Sequence, residues 1–330
     1  MNDRSENSPV LLTGSTGFIG THTAHHLVDQ GFRIRCLVRK TSDTSRLPKN
    51  VETVEGHLLN FESLKAAARG CWAVLHVGGI VRAKKARDFY QINRDGTSNL
   101  IRAAREIGVE RFLLCSSQAA VGPSKPGVRR KWDDPPQPVT DYGKSKLSGE
   151  EVLQKRAGDM WHCIVRPPAV YGPWDVGFLT LVKWIKYGFK LRLGDGSMPI
   201  SIIHAEDLAR ALTLAISADQ PSGTIWFATD GVDHDISALL GAIEQAMDKK
   251  ARWISIPKWV APTISSFIEL IAGIKGDTAL LSRSKLAELT QPAWTCDDEP
   301  FRIATGFKEK YNLIDGWAQT VKWYKQEDWI

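Results

Sequence analysis

No stretch of this 330-residue chain holds 18 consecutive apolar residues, so the sequence offers no helix of the usual bilayer-spanning length. The nearest candidate, Trp259 to Ile274, is interrupted by Glu269 and reads as a buried or lobe-covering helix in preference to a membrane-surface patch. Met1 to Ser8 is polar and lacks the apolar centre of a signal peptide; it is expected to form a disordered tail. Cysteine is sparse and scattered. Cys36, Cys71, Cys115, Cys163 and Cys296 are odd in number, and four of them sit inside apolar runs. That pattern predicts buried free thiols in a reducing, cytoplasmic compartment. No Cys-x-x-Cys pair or His/Cys spacing suggests a metal, and there is no internal repeat. Charge is nearly balanced, 43 Lys and Arg against 37 Asp and Glu, for a net +6. The basic clusters Lys84-Lys85-Arg87 and Arg129-Arg130-Lys131 are short. They suit a solvated rim or the attraction of an anionic cofactor or substrate, and not a nucleic-acid site.

What is present is an ordinary globular composition, 43% hydrophobic and 24% charged, in a chain longer than one typical domain. One large α/β unit with a smaller lobe is the natural expectation. The most informative segment is Val10-Leu11-Leu12-Thr13-Gly14-Ser15-Thr16-Gly17-Phe18-Ile19-Gly20. A short buried strand runs into Gly-x-x-Gly-x-x-Gly and then into a helical apolar pattern. The glycines allow a tight turn, close backbone approach to a pyrophosphate, and close helix–strand packing. The helix N-terminus so formed attracts anions.

Strand-like runs then alternate with helical patterns. Strands are predicted at 33–38, 51–55, 73–77, 111–115, 163–165 and 225–228. Helices are predicted at 61–68, 96–107 (ended by Gly108) and from a cap at Thr140 or Asp141. Pro123 to Pro138 is loop-rich. This alternation predicts a Rossmann-type doubly wound parallel sheet with ligands at the strand C-termini. From about Ile236 onward helical patterns and many of the 12 tryptophans dominate. The expected division is a dinucleotide-binding unit of residues 9–176 with about 200–230, and a substrate lobe of about 177–199 with 231–330.

Two further signals carry chemistry. Tyr142 and Lys146 are four residues apart, on one face of a helix, where an ammonium beside a phenol favours the phenolate and lowers its pKa. Ser116 and Ser117 follow Cys115 at a strand end, where a hydroxyl can hold a substrate oxygen.

With these motifs in this order, the chain resembles the extended short-chain dehydrogenase/reductase family. The branch is that of epimerases, dihydroflavonol reductases and 3β-hydroxysteroid dehydrogenases. The resemblance runs from about Ser8 to Trp329. It rests on the glycine loop, His76-Val77-Gly78-Gly79, Asn93-x-x-Gly96-Thr97, Ser116-Ser117 and Tyr142-x-x-x-Lys146. Further along it rests on Arg166-Pro167-x-x-Val170-Tyr171-Gly172-Pro173 and on Gly194-Asp195-Gly196-Ser197 followed by His204-x-x-Asp207-Leu208. The resemblance implies Tyr142 as general acid or base, Lys146 lowering its pKa and holding the nicotinamide ribose, and Ser117 bonding the reacting oxygen. It implies that Asn93 supports the site and a proton path through water. It also implies a cofactor lined by Gly14 to Gly20, Leu58, Val77 to Gly79, Cys115, Ser116, Pro167, Ala169 and Val170. Relatives often dimerise through the segments near 96–107 and 142–155, so the resemblance leaves room for a homodimer.

The nucleotide follows from the end of the second strand. An NAD site wants a carboxylate there for the ribose hydroxyl, whereas this chain has Arg39 and Lys40, with Thr41, Ser42 and Ser45 close behind. NADP(H) is therefore expected over NAD(H). The family's Gly-Asp-Leu after the third strand is replaced by Gly56-His57-Leu58, so the adenine contact falls to His57 or to backbone. The Gln118-Ala119 pair after Ser117 replaces the Asp-Glu of the dehydratases, and the Ser197-Met198-Pro199 stretch lacks the diphosphate-binding arginine of the sugar epimerases. A lobe rich in Trp, Ile and Leu suits an apolar ligand. The expected activity is an NADP-dependent ketone or aldehyde reductase, or alcohol dehydrogenase, for a hydrophobic small molecule. The alternatives are a nucleotide-sugar epimerase and a non-catalytic NADP-sensing protein.

Overall fold

The computed structural model describes residues 8–193, 198–256 and 283–330. Most of the N-terminal tail, the Gly194–Ser197 motif and the Trp259–Ile274 stretch lie outside them.

Seven strands form one sheet: β1 (Val10–Thr13), β2 (Ile34–Val38), β3 (Glu52–Glu55), β4 (Ala73–His76), β5 (Arg111–Cys115), β6 (Trp161–Arg166) and a late strand, Thr224–Phe227. Their spatial order is Thr224–Phe227, β6, β5, β4, β1, β2, β3, and every pairing is parallel. This is the Rossmann-type α/β sheet that the alternation predicts. Side chains alternate across it as the pleat requires. Val10, Leu12, Leu75, Leu113 and Cys163 face one core; Leu11, Val74, Phe112, Leu114 and Ile164 face the other. The chain order reverses between β1 and β4, so their C-terminal ends open the crevice where such sheets bind ligands.

The remaining strands are β7 (Ala169–Tyr171), β8 (Phe189–Leu193), β9 (Ile200–His204), the late strand just named (β10), β11 (Asp233–His234) and β12 (Arg252–Ile256). They build a small β11-β9-β7 sheet and a two-stranded β12-β8 ribbon. A third core gathers Tyr171, Ile185, Ile202, Leu240, Trp317 and Tyr324 beneath the Leu313–Gln326 helix. All five cysteines are buried and free. Among the described residues no helix is long and apolar enough to cross a membrane.

The predicted strands and the Phe61–Ala68 helix agree with the observed ones to within two residues, and Thr140 caps the Asp141–Arg156 helix through a bond from Gly143 N (3.1 Å). Two features differ. The helix expected to begin at Gly96 is preceded by an Ala86–Tyr90 helix and a wide π-turn, Gln91–Gly96. And β9 is buried on both faces, because Ser201 bonds Asp233 and His204 caps the next helix through Glu206 N.

Candidate active site

The glycine loop is built by close approach. Gly14 is left-handed (φ +72°), and a Cβ there would lie 2.7 Å from the backbone of Gly78. A Cβ on Gly20 would collide with the Gly14 carbonyl oxygen. Only glycine lets the turn fold this tightly against the helix and the neighbouring strand end. The Phe18–Asp29 helix that follows has no side-chain cap and no acidic residue in its first turn. Its first amides and the positive end of its dipole therefore face the crevice uncompensated. Ser15 is buried in this turn, while Thr16, Phe18 and Ile19 are partly exposed along it.

At the switch point Thr13 and His76 are register partners, and their side chains begin a buried hydrogen-bond chain. Its directions can be assigned. Thr97 Oγ1 gives its proton to the Asn93 carbonyl (2.8 Å), so it accepts from His76 Nε2 (3.0 Å). His76 Nδ1 then accepts from Thr13 Oγ1 (2.6 Å), which in turn accepts from Gly78 N (3.1 Å). Burial, aided by the Lys146 charge, pushes His76 down to about 3, so the imidazole is neutral and one tautomer satisfies every partner.

Asn93 lies in the π-turn and is buried. Its amide spans the Ile80 backbone, accepting from N (2.9 Å) and donating to O (3.0 Å), and it also donates to Ser145 Oγ (3.0 Å). Asn93 thus clamps the Val77–Ile80 loop to the helix that bears Tyr142 and Lys146. Its side chain acts as a clamp, and its carbonyl is engaged by Thr97.

Tyr142 stands in the first turn of the Asp141–Arg156 helix, beside Phe89 (ring centroids 6.1 Å). A Cβ on the next residue, Gly143, would collide with the Ala119 carbonyl, so glycine lets the helix press onto the turn after Ser117. Burial pushes the Tyr142 hydroxyl up, and a hydrogen bond with Ser117 opposes it. Ser117 Oγ also accepts from Ala119 N (3.1 Å), which orients it at the end of β5. Lys146 is buried and donates to the Cys115 carbonyl (2.7 Å). The expected lowering of Tyr142 by this lysine is not what governs the phenol here. Desolvation comes first, Lys146 is not among the groups that shift the phenol, and burial lowers Lys146 itself.

Behind these residues sits a hub that the sequence reading gave no role. Glu150, one turn beyond Lys146, is buried and takes a two-pronged bond from Arg166 (Nη2–Oε2 2.7 Å, Nε–Oε1 3.1 Å) and one from the Ser116 hydroxyl. Arg166 also reaches the Trp132 carbonyl (2.9 Å). Backbone bonds join the same two strand ends, Ser116 N to Val165 O (2.7 Å) and Gln118 N to Pro167 O (2.8 Å). The Ser116–Gln118 turn is thereby held against Pro167. The only sequence signals for the hub were a carboxylate on the Tyr142 helix face and an arginine ending an apolar strand.

The outer cofactor residues are arranged differently. Arg39 and Lys40 are exposed at the end of β2, in a turn closed by Ser42 (Arg39 N to Ser42 Oγ 3.1 Å; Ser42 N to Arg39 O 2.9 Å). Neither side chain is engaged by a described residue. His57 is exposed and its Nδ1 accepts from Leu59 N (3.1 Å), so half of its ring serves its own turn. Leu58 packs against Gly96, and its carbonyl accepts from Asn99 (3.1 Å). Burial raises the Cys115 thiol to about 11, so it is uncharged at neutral pH. Among the described residues no group of three or more His, Cys, Asp or Glu could hold a metal ion.

The arrangement can therefore hold a dinucleotide along the β1/β4 crevice and present one hydroxylated pair, Ser117 and Tyr142, to a reacting oxygen. Comparison with known proteins gives the family and the fold. The model of the NAD dependent epimerase/dehydratase family matches residues 10–227. Ceramide reductase of Caulobacter vibrioides (strain NA1000 / CB15N) is 30% identical over 323 residues, covering 97% of this chain and 96% of that protein. The 4-hydroxy-2-methyl-3-oxo-4-farnesyl-3,4-dihydroquinoline-1-oxide ketoreductase of Stigmatella aurantiaca is 26% identical over 254 residues, 75% of each chain. The crystal structure of Thermus thermophilus UDP-glucose 4-epimerase in complex with NAD has the same fold, with a TM-score of 0.78 at 21% identity over 96% of this chain and 99% of that one.

Proposed function

The chain belongs to the NAD dependent epimerase/dehydratase family, within the extended short-chain dehydrogenases/reductases, and from that premise we propose that it is an NADP(H)-dependent carbonyl reductase or alcohol dehydrogenase acting on a hydrophobic substrate. The observation that carries the reading is the Ser117–Tyr142 hydroxyl pair, held where the Tyr142 helix presses onto the turn after β5. A dinucleotide suits the loop, since Gly14 leaves the space that any Cβ would fill and the helix behind it is uncapped. When bound, the nicotinamide supplies or accepts the hydride.

The protein's own groups move and hold the proton. Tyr142, kept protonated at neutral pH by burial, delivers its proton to the substrate oxygen in reduction, while Ser117 donates to the same oxygen and stabilises its developing charge. In oxidation the roles reverse. Lys146, tied to the Cys115 carbonyl, stands one helical turn below Tyr142 and contributes positive charge beside the ribose. Asn93 and Glu150 position these groups and do not touch the reacting atoms.

Arg39 and Lys40 support NADP(H), because two exposed cations suit a 2′-phosphate and no carboxylate stands at this strand end. Two relatives support a reductase and an apolar substrate, being named as reductases of ceramide and of a farnesyl-bearing quinoline oxide. We assign the cofactor unit to residues 9–176 with about 200–230, and the substrate lobe to the rest, on the strength of two cores flanking the sheet and a third beneath the Leu313–Gln326 helix. The test is an NADPH- and NADH-oxidation screen against apolar ketones and aldehydes, with thermal stabilisation by UDP- and dTDP-sugars read in parallel. Turnover of apolar carbonyls with NADPH supports the reading. Stabilisation by a sugar nucleotide alone would replace it with an epimerase.

A further inference from the structure

Some cations on this protein's surface are paired with carboxylates. Arg129 bonds Asp233 (2.8 Å), Arg130 lies near Asp134 (3.9 Å), and Arg302 takes both Asp298 (2.8 Å) and Glu309 (2.6 Å). One face of the small lobe departs from this. Lys183 and Lys186 on the Leu179–Lys186 helix, Lys249 and Lys250 after the Ile236–Met247 helix, and Arg252 in β12 are all exposed. None of the five forms an ion pair with a described residue. Arg252 N bonds the Gly188 carbonyl (2.9 Å) and the Lys249 ammonium bonds the Lys186 carbonyl, so the two segments make one continuous surface. Asp248 is the sole exposed carboxylate in the two stretches 183–193 and 245–255.

The same two segments carry large apolar side chains in water. Tyr187 is 73% exposed, Ile254 48% and Trp253 37%. Trp253, which points to the opposite side of the ribbon from Arg252 and Ile254, lies beneath Lys190 (4.6 Å from the ammonium to the ring centroid) and Arg192 (5.5 Å). Positive charge without ion-pair partners around Tyr187 and an exposed aliphatic, Ile254, is the chemistry of a headgroup interface: the cations meet lipid phosphates while the apolar side chains enter the acyl boundary. A nucleic acid would satisfy the charge but offers nothing to Ile254.

We propose that this face, formed by the Lys183–Gly188 and Lys249–Ile254 segments, docks the protein onto an anionic phospholipid bilayer. The inference rests on the surface alone and is independent of the reaction proposed above. The test is flotation of the full chain with vesicles of phosphatidylcholine, with and without about a quarter phosphatidylglycerol, at low and high salt. Binding is expected only to the anionic vesicles and only at low salt. Each Lys→Gln change among Lys183, Lys186, Lys249 and Lys250 is expected to weaken it about fivefold. Tyr187→Ser and Ile254→Ser should weaken it at fixed charge, while Lys84→Gln with Lys85→Gln should leave it intact. Melting temperature and NADPH binding, measured on every variant, separate loss of docking from loss of folding. Absence of binding to anionic vesicles would overturn the proposal. So would equal binding to neutral ones, variants of this face that bind as the parent does, or binding of poly(U) without vesicle binding.

Discussion

Two buried ion pairs among the described residues, Glu150–Arg166 and Lys190–Glu244, differ in what they hold. In the sheet unit, Glu150 and Arg166 sit where the Tyr142 helix, the end of β5 and the end of β6 meet, and Ser116 and the Trp132 carbonyl complete the set. In the small lobe, Lys190 and Glu244 (2.7 Å) join β8 to the Ile236–Met247 helix, with Ala251 N as a further donor (2.6 Å). A buried pair repays its desolvation poorly, so its value lies in the geometry it specifies. The first pair specifies three elements of the candidate site; the second closes the edge of a two-stranded ribbon whose β12 is exposed from Arg252 to Ser255.

This contrast makes its largest prediction for stability. Glu150→Gln leaves the Arg166 charge buried without its carboxylate and is expected to cost about 3–5 kcal/mol in denaturant unfolding. Glu244→Gln should cost less than half of that, because Lys190 can turn toward water along the ribbon edge. Equal losses would break the comparison. Next comes the cofactor: Arg39→Asp should weaken NADPH binding roughly 10–100-fold, the worth of a charge-assisted hydrogen bond, and leave NADH nearly unchanged. Equal effects on both nucleotides would remove the 2′-phosphate argument.

A smaller effect tests the switch-point chain. Thr13→Val removes the donor to His76 and the acceptor for Gly78, and should cost about 1–3 kcal/mol with weakened binding of either nucleotide. The smallest concerns Asp175, whose backbone carbonyl takes the Tyr324 hydroxyl (2.6 Å). Burial raises its carboxyl to about 6, against opposing bonds from Phe178 N and Gly177 N. A carboxyl raised on folding binds more protons in the native state, so stability is greatest below its unfolded pKa and falls as pH rises to about 6. Asp175→Asn should flatten that slope between about pH 4 and 6 in thermal unfolding. A slope unaltered by the substitution would place its origin elsewhere.

Much of the sheet unit was legible from the chain. The short apolar runs of β4 and β5, the glycine loop and the Tyr142–Lys146 spacing are local patterns, and each appears where it was expected. The hub was not legible, because Glu150 on a helix reads as a solvated charge until folding brings Arg166 beside it. The burial of Tyr142 was not legible for a related reason: the neighbouring lysine is visible in sequence, while desolvation by the surrounding fold is not. In the lobe, β9 was not legible because Ser201 and His204 are polar in sequence and buried in the fold, where Asp233 accepts from Ser201 and Glu206 N donates to one ring nitrogen of His204.

The central claim is that Tyr142, held by Ser117 and backed by the Glu150 hub, is the proton donor of a carbonyl reductase. Steady-state NADPH oxidation with the best apolar ketone, compared between the parent and Tyr142→Phe, tests it most directly. The account predicts a fall in kcat of about 10²–10⁴-fold with melting temperature and NADPH affinity retained. Activity unchanged by the loss of this one hydroxyl would contradict it.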